Sequence, residues 1–336
     1  MNILITGGCG FVGARLARSL LQQGALSLAG GPSHSIERIT LTDRVEPPPD
    51  LAGDARIAFV QGDLLELAQD RKLPAAGTEL VFHMAGAVSA ECEADFDLGM
   101  HSNFDTIRAL LEACRTLGSR PTVVFASSLA VFGNSPGTAL PALIEDDTLP
   151  TPQSSYGIQK FIGEQLVADY ARKGFIRGRN VRLMTVSVRP GQPNGAASGF
   201  LSGMVREPLA GLRGACPVPR ETPVALASPA RTVEGLIRAA EASDQEWGPL
   251  TGMNLPSMLV TAGEMADALE RVAGKQATAL LDWTPDPAIL KLVNSWPGNV
   301  ASTRARALGL QSDKDFESVI REYVRENPDA VKLPLR

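Results

Sequence analysis

The chain opens on Met1-Asn2-Ile3-Leu4-Ile5-Thr6 and runs straight into Gly7-Gly8-Cys9-Gly10-Phe11-Val12-Gly13. A short apolar run ends in glycines and continues as an amphipathic stretch, Val12 to Gln23, closed by Gly24. This reads as strand, tight turn and helix, with Gly24 as the C-cap. Gly7, Gly10 and Gly13 stand at GxxGxxG spacing. The first permits the tight turn, the second lets the backbone approach a pyrophosphate, and the third lets helix pack closely on strand. Free N–H groups of Phe11, Val12 and Gly13 at the helix start would hold the phosphates. An ordinary Gly-rich turn is the alternative, but the place of the loop, directly after a strand, favours a dinucleotide site.

Strand-like and helix-like segments alternate through the first half. The predicted strands are 2–6, 38–42, 57–61, 80–84, 122–126 and 181–188; the predicted helices are 12–23, 103–117 and 155–173. The alternation predicts the α/β class, a Rossmann-type doubly wound parallel sheet with ligands beyond the carboxyl ends of its strands. Residues 1–189 would form the NAD-binding domain, with 224–256, including a helix over 232–242, returning to it. Residues 190–223, rich in Pro and Gly, read as irregular chain over the site. With 257–336 they would make a small, mostly α-helical, substrate-binding cap. In that part Thr261-Ala262-Gly263-Glu264 is a capping box opening a helix to Val272, and 332–336 reads as a frayed tail.

Asp43 ends the second strand segment. An acid there accepts hydrogen bonds from the adenosine ribose hydroxyls and repels a 2′-phosphate, which favours NAD over NADP. It lies farther from the glycines than the usual ~20 residues, and a Gly/Pro/Ser insertion over 29–35 accounts for the excess. Arg44 beside it is the residue a 2′-phosphate would seek, so NADP stays open at this point.

Composition narrows the function classes. The 336 residues suffice for two domains' worth of core, and a net charge of −5 argues against a dominant nucleic-acid surface. No apolar run reaches the ~18 residues of a membrane helix, and Met1 leads directly into the first strand without a signal peptide. Cys9, Cys92, Cys114 and Cys216 are scattered, as are His34, His83 and His101, without metal-ligand spacing. The expectation is a reduced, cytoplasmic, metal-free protein.

Tyr156 and Lys160, in Ser154-Ser155-Tyr156-Gly157-Ile158-Gln159-Lys160, share one helix face a turn apart. Such a pair arises by chance on many helices. Beside a cofactor loop it points to hydride transfer at a carbon bearing a hydroxyl. The 122–126 strand ends in Ser127-Ser128, where a hydroxyl would enter the ligand crevice or serve only as a turn residue. Oxidising a secondary alcohol needs a base for the hydroxyl proton, and free tyrosine, with a pKa of about 10, is a poor one at neutral pH. Lys160 and a positive nicotinamide would favour phenolate. A lowering of ~3 pKa units corresponds to ~4 kcal/mol.

The Thr6–Gly13 loop, Asp63-Leu64, His83-Met84-Ala85-Gly86, Asn103, Ser127-Ser128 and the Tyr156/Lys160 pair together resemble the extended short-chain dehydrogenase/reductase superfamily, that of the NAD-dependent epimerases and dehydratases. The resemblance covers nearly the whole chain. It implies Ser128, rather than Ser127, as the substrate-aligning hydroxyl, with Tyr156 as base and Lys160 bonding the nicotinamide ribose. It implies Asp63 and Leu64 at the adenine, Ala85, Gly86 and Ala87 at the cofactor ribose, and Asn103 in support of the site helix. A homodimer through helices 103–117 and 155–173 is also implied. One departure is Val131-Phe132-Gly133, where the epimerase-like pattern ends in Val-Tyr-Gly; it removes no evident catalytic group.

Further stretches, 94–99, 188–194, 206–211, 216–219 and 295–298, look like the D-erythronate dehydrogenase group of that superfamily. That likeness implies NAD-dependent oxidation of the C2 hydroxyl of a small sugar acid. Candidates for its carboxylate and hydroxyls are Ser89, Asn194, Ser198 and Arg231; an arginine grips a carboxylate bidentately. The alternatives are a helix-start role for Arg231 and a turn cap for Asn194. Pro190 and Gly191 would place backbone groups near the nicotinamide amide, or form only a turn. Two other readings stay open. A nucleotide-sugar 4-epimerase would use the same Ser, Tyr and Lys, with Arg206, Arg213 and Arg220 for a diphosphate but only Phe200 to stack a base. A non-catalytic NAD-binding protein is disfavoured because both Tyr156 and Lys160 are present.

Overall fold

Seven parallel strands make one central sheet in the computed structural model, which describes residues 1–135, 137, 139–191 and 198–336. Six of them are β1 (Asn2–Thr6), β2 (Arg38–Asp43), β3 (Ile57–Gln61), β4 (Leu80–His83), β5 (Thr122–Ser128) and β6 (Arg177–Leu183). Two strands of a second sheet follow, β7 (Thr185–Val186) and β8 (Pro223–Ala227); β9 (Met253–Asn254) then rejoins the main sheet, and β10 (Met258–Thr261) the second. The main sheet runs β9-β6-β5-β4-β1-β2-β3. Its order reverses at β1 and β4, where Thr6 stands opposite His83. In a sheet of this kind the ligand crevice opens at the carboxyl ends on either side of that reversal.

Alternation along the strands divides the core between two faces. Ile3, Ile5, Ile39 and Leu41 pack with helices α1 (Phe11–Gln23) and, later in the chain, Pro229–Glu241. Leu4, Val81, Val123 and Phe125 pack on the other face with Leu64 and Leu67 of α2 (Leu64–Gln69), Ile107 and Leu110 of α3 (Thr106–Leu117) and Val167 of α4 (Ser155–Arg172). A third core lies over the carboxyl ends. There Leu201 and Met204 of α5 (Gly199–Leu209), Leu269 of α7 (Ala262–Ala273) and Ile320 of α8 (Phe316–Glu326) interdigitate, the Pro229–Glu241 helix of the first core being α6.

Several expectations shift. The last predicted strand begins earlier, at Arg177, because its polar start is buried with partners: the Arg179 guanidinium reaches Asp244 at 2.7 Å, and the Asn180 amide donates to the Glu164 carbonyl at 2.9 Å. Residues 199–209 are helical rather than irregular, and Pro208 is tolerated near the helix end. The tail is not frayed: the Lys332 N–H donates to the Leu209 carbonyl and the Arg336 N–H to the Val272 carbonyl, each at 2.8 Å. The 29–35 insertion belongs to a small hairpin, Ala25–Ser27 against Ser33–Ser35. The capping box at Thr261 and Glu264 forms as read from the sequence. Among the described residues, no helix is long and apolar enough to cross a membrane, and no group of His, Cys, Asp and Glu is placed to hold a metal ion.

Candidate active site

A cleft with two lobes lies over the sheet reversal, and Gly7, Gly10 and Met84 wall both. The glycine loop is there because no larger residue fits. Gly7 has φ +66°, and a Cβ on it would stand 2.8 Å from the Ala85 nitrogen. A Cβ on Gly13 would run into the Gly7 carbonyl oxygen. Gly10 caps α1 without any side-chain hydrogen bond, so the orphan N–H groups of the helix start remain for a ligand. This glycine-walled cradle, with Phe11, Val12 and Gly13 along one lobe, fits the pyrophosphate of a dinucleotide.

The far lobe is walled by Asp43, Arg44, Asp63, Leu64 and the Ala85-Gly86-Ala87 segment. Asp43 accepts from the Cys9 N–H at 3.1 Å and the Arg44 N–H at 2.8 Å, which holds its carboxylate at the lobe's edge. Arg44 turns to Asp63 at 2.5 Å, and His101 adds a second contact to the same carboxylate at 3.2 Å. Burial acts to raise the Asp63 carboxyl, but Arg44, His101 and the Leu65 N–H together hold it below the ordinary value. Asn103 sits one layer behind this wall, on a wide π-helical turn over Met100–Asp105. Its amide donates to the Ala87 carbonyl at 3.2 Å and to Gln159 Oε1 at 2.9 Å. A Cβ on Gly86 would meet its Oδ1 at 2.5 Å.

The near lobe brings Ser89, Ser128, Tyr156, Lys160 and Ser198 to one cavity. Tyr156 is placed by the start of α4, which Ser154 caps by accepting the Gly157 N–H at 3.1 Å. Gly157 allows that turn to touch the chain after Ser128, since a Cβ there would run into the Ala130 carbonyl oxygen. Lys160 is 5% exposed; its Nζ donates to the Ala126 carbonyl at 2.9 Å and lies 5.6 Å from the Tyr156 ring centroid. Burial lowers the Lys160 ammonium to about 8. Burial likewise raises the Tyr156 phenol; the Ser128 hydroxyl, by hydrogen bonding, and Arg189, by charge, pull it down. Burial is thus the largest influence on the Tyr156 phenol in the protein alone, and the nicotinamide charge invoked beside Lys160 would add to the groups that lower it. His83, its Nδ1 2.7 Å from Thr6 Oγ1 and its ring stacked on Phe125, is pushed down to about 3 by burial first and the Lys160 charge second. It stays neutral.

Beneath the cavity, the Arg182 guanidinium grips both oxygens of Glu164, at 2.9 and 2.8 Å, while Ser127 donates to the same carboxylate at 2.6 Å. The Ser127 hydroxyl is thus taken up by Glu164, although the residue borders the same cavity as Ser128.

Two sequence candidates stand away from both lobes, and a third is outside the described residues. Arg231 lies outside both lobes: α6 carries it on the surface, 2.7 Å from Glu234. Pro190 also walls neither lobe. The chain is held there through its neighbour, whose N–H donates to Ser202 Oγ at 3.0 Å and whose carbonyl accepts from Arg206 at 2.9 Å. Asn194 lies outside the described residues. The cavity also has Arg189 and Trp296 in its wall. Both belong to stretches singled out in the sequence, and the signal that could have found Arg189 is its position just past a strand's carboxyl end.

The model of the NAD dependent epimerase/dehydratase family matches residues 3–222. The D-erythronate dehydrogenase of Cupriavidus necator is 49% identical over 326 residues, covering 97% of this chain and 98% of its own. That of Haemophilus influenzae is 38% identical over 325 residues, covering 96% and 99%. Among solved structures, a nucleoside-diphosphate-sugar epimerase from Agrobacterium tumefaciens superposes with a TM-score of 0.89 at 38% identity, covering 98% of this chain and 95% of that one.

Proposed function

The chain belongs to the NAD-dependent epimerase/dehydratase family, and we propose that it oxidises the C2 hydroxyl of a small sugar acid, D-erythronate, to the 2-oxo acid. It is an oxidoreductase working with a nicotinamide cofactor; the substrate and the role of each residue are the proposal. The observation that carries it is the meeting of Ser128, Tyr156 and Lys160 in one cavity that continues into the glycine cradle.

The division of labour follows the fold. Residues 1–189 and 224–256 hold the cofactor, and 190–223 with 257–336 close over the substrate. Gly7, Gly10 and the Phe11–Gly13 N–H groups take the pyrophosphate. Asp43 takes the adenosine ribose, and Asp63 and Leu64 flank the adenine. Because Arg44 is already paired with Asp63, the lobe offers a 2′-phosphate an acid and no unpaired arginine, so NAD is preferred over NADP. Ala85, Gly86 and Ala87 line the ribose, with Asn103 fixing them from behind. When bound, the nicotinamide supplies the acceptor for the hydride that leaves C2.

Ser128 holds the substrate oxygen and Tyr156 takes its proton, so the O–H electron pair becomes the second bond of the new carbonyl. Lys160 holds the nicotinamide ribose from its buried position. Ser89 and Ser198 offer hydroxyls to the remaining substrate oxygens. Tyr156→Phe should keep NAD affinity within about two-fold and lower turnover by roughly 10²–10⁴-fold, the usual contribution of a positioned acid–base. Turnover equal to that of the parent protein would remove Tyr156 from the role. The second reading, a nucleotide-sugar epimerase, is favoured by the name of the Agrobacterium relative; such an enzyme would release no free NADH.

A further inference from the structure

Three arginines drawn into the interior of this fold are given an acid, and Arg304 is instead held by the carbonyls of Trp247, Pro249, Thr251 and Gly252. Arg179 has Asp244 at 2.7 Å, Arg182 has Glu164 at 2.8 Å and Arg206 has Glu207 at 2.6 Å. Arg189 is different. It is half-buried in the wall of the near lobe, yet no Asp or Glu among the described residues lies within ion-pair distance of it. The residues outside the description, 136, 138 and 192–197, contain no acidic side chain either. Its guanidinium is nonetheless held in place. Nε donates to the Val186 carbonyl at 3.0 Å and Nη2 to Ser198 Oγ at 2.9 Å. The main chain is fixed at both ends, N–H to Ser202 and carbonyl from Arg206. A positioned cation without a counter-charge, in a partly desolvated cavity, costs stability unless an anion joins it.

We propose that Arg189, braced by Ser198, is the anchor for the substrate carboxylate and so the residue that restricts this site to 2-hydroxy acids. This rests on the sugar-acid reading above and deepens it. In a 2-hydroxy acid the carboxylate is bonded to the carbon that is oxidised. Its anchor must therefore share a cavity with Ser128 and Tyr156, as Arg189 does. Its charge also reaches the reacting group, because it helps to lower the Tyr156 phenol against burial. A nucleotide-sugar 4-epimerase places its anionic diphosphate at the far end of the sugar from the reacting carbon, and has no use for a cation at this point. A guanidinium also matches a carboxylate bidentately, which an ammonium does not.

The test compares wild type, Arg189→Met and Arg189→Lys with NAD on D-erythronate and on its uncharged methyl amide, following NADH. For Arg189→Met we expect the KM for the acid to rise roughly 100-fold, as for loss of a charge-assisted bidentate pair. NAD affinity should be unchanged, the amide much less affected than the acid, and Arg189→Lys should fall between. Added methylguanidinium should restore part of the loss. The acid-side, rising limb of kcat/KM should move to higher pH in Arg189→Met, because Tyr156 acts as the deprotonated base and a group that lowers its pKa has gone. With an active wild type, an unchanged KM for the acid, or equal losses on acid and amide, overturns the assignment of Arg189 alone. A wild type that oxidises no sugar acid overturns the underlying reading and this inference with it.

Discussion

Arg182 and Arg189 come from consecutive stretches of chain at the carboxyl end of the sheet, and they are treated in opposite ways. Below the cavity, Arg182 is closed into a set with Glu164 and Ser127 in which each polar atom has a partner, both charged side chains being almost fully buried at 2% and 1% exposure. On the cavity wall, Arg189 is held by a carbonyl and a serine but given no acid. The first arrangement ties α4 to β5 and β6 and fixes the helix that carries Tyr156 and Lys160. The second leaves a charge for something that is not protein. A polar group matched inside the chain serves the fold, whereas one positioned but left unmatched points to a ligand.

Substitutions on the two sides should therefore separate stability from activity. The largest stability effect is expected from Glu164→Ala, which strands the Arg182 charge in the interior. A loss of about 3–5 kcal/mol in denaturant unfolding is expected. A loss below ~1 kcal/mol would mean that the floor is not a closed set, and the contrast would collapse. Arg189→Met should cost less than ~1 kcal/mol in the same measurement, since no ion pair is broken, while its kinetic defect is large. The smallest effect belongs to Arg231→Ala. Its pair with Glu234 is at the surface, so the expected change is within ~1 kcal/mol and the KM for the sugar acid should stay as in wild type. A strong rise in that KM would return Arg231 to the substrate and weaken the case for Arg189.

What was legible in the sequence follows from how locally each feature is encoded. The glycine loop could be read because turn, backbone approach and helix packing each exclude a side chain at fixed spacing, as Gly7 and Gly13 show. Asp43 was legible despite the intervening hairpin, because it ends an alternating strand. The Tyr156/Lys160 pair needs only one helix. The carboxylate partner was not legible in this way. Arg189 and Trp296 meet only after the chain folds back, and with many arginines in the sequence nothing local separates Arg189 from Arg231; only the presence or absence of an acid neighbour does. The Gly199–Leu209 helix was hidden by its glycines and Pro208, although Leu201, Val205 and Leu209 hold helical spacing on one buried face. The start of β6 was hidden by Arg179 and Asn180, whose partners lie on remote segments. The tail was missed for a similar reason, because the carbonyls that hold it close the ends of two distant helices.

The measurement that bears most directly on the central claim is to mix the purified protein with NAD and D-erythronate and follow NADH absorbance, with NADP, L-threonate and UDP-sugars in parallel. The account predicts NADH formed in proportion to erythronate consumed, and little with NADP. No NADH, together with isomerised UDP-sugar, would contradict it and make the chain an epimerase.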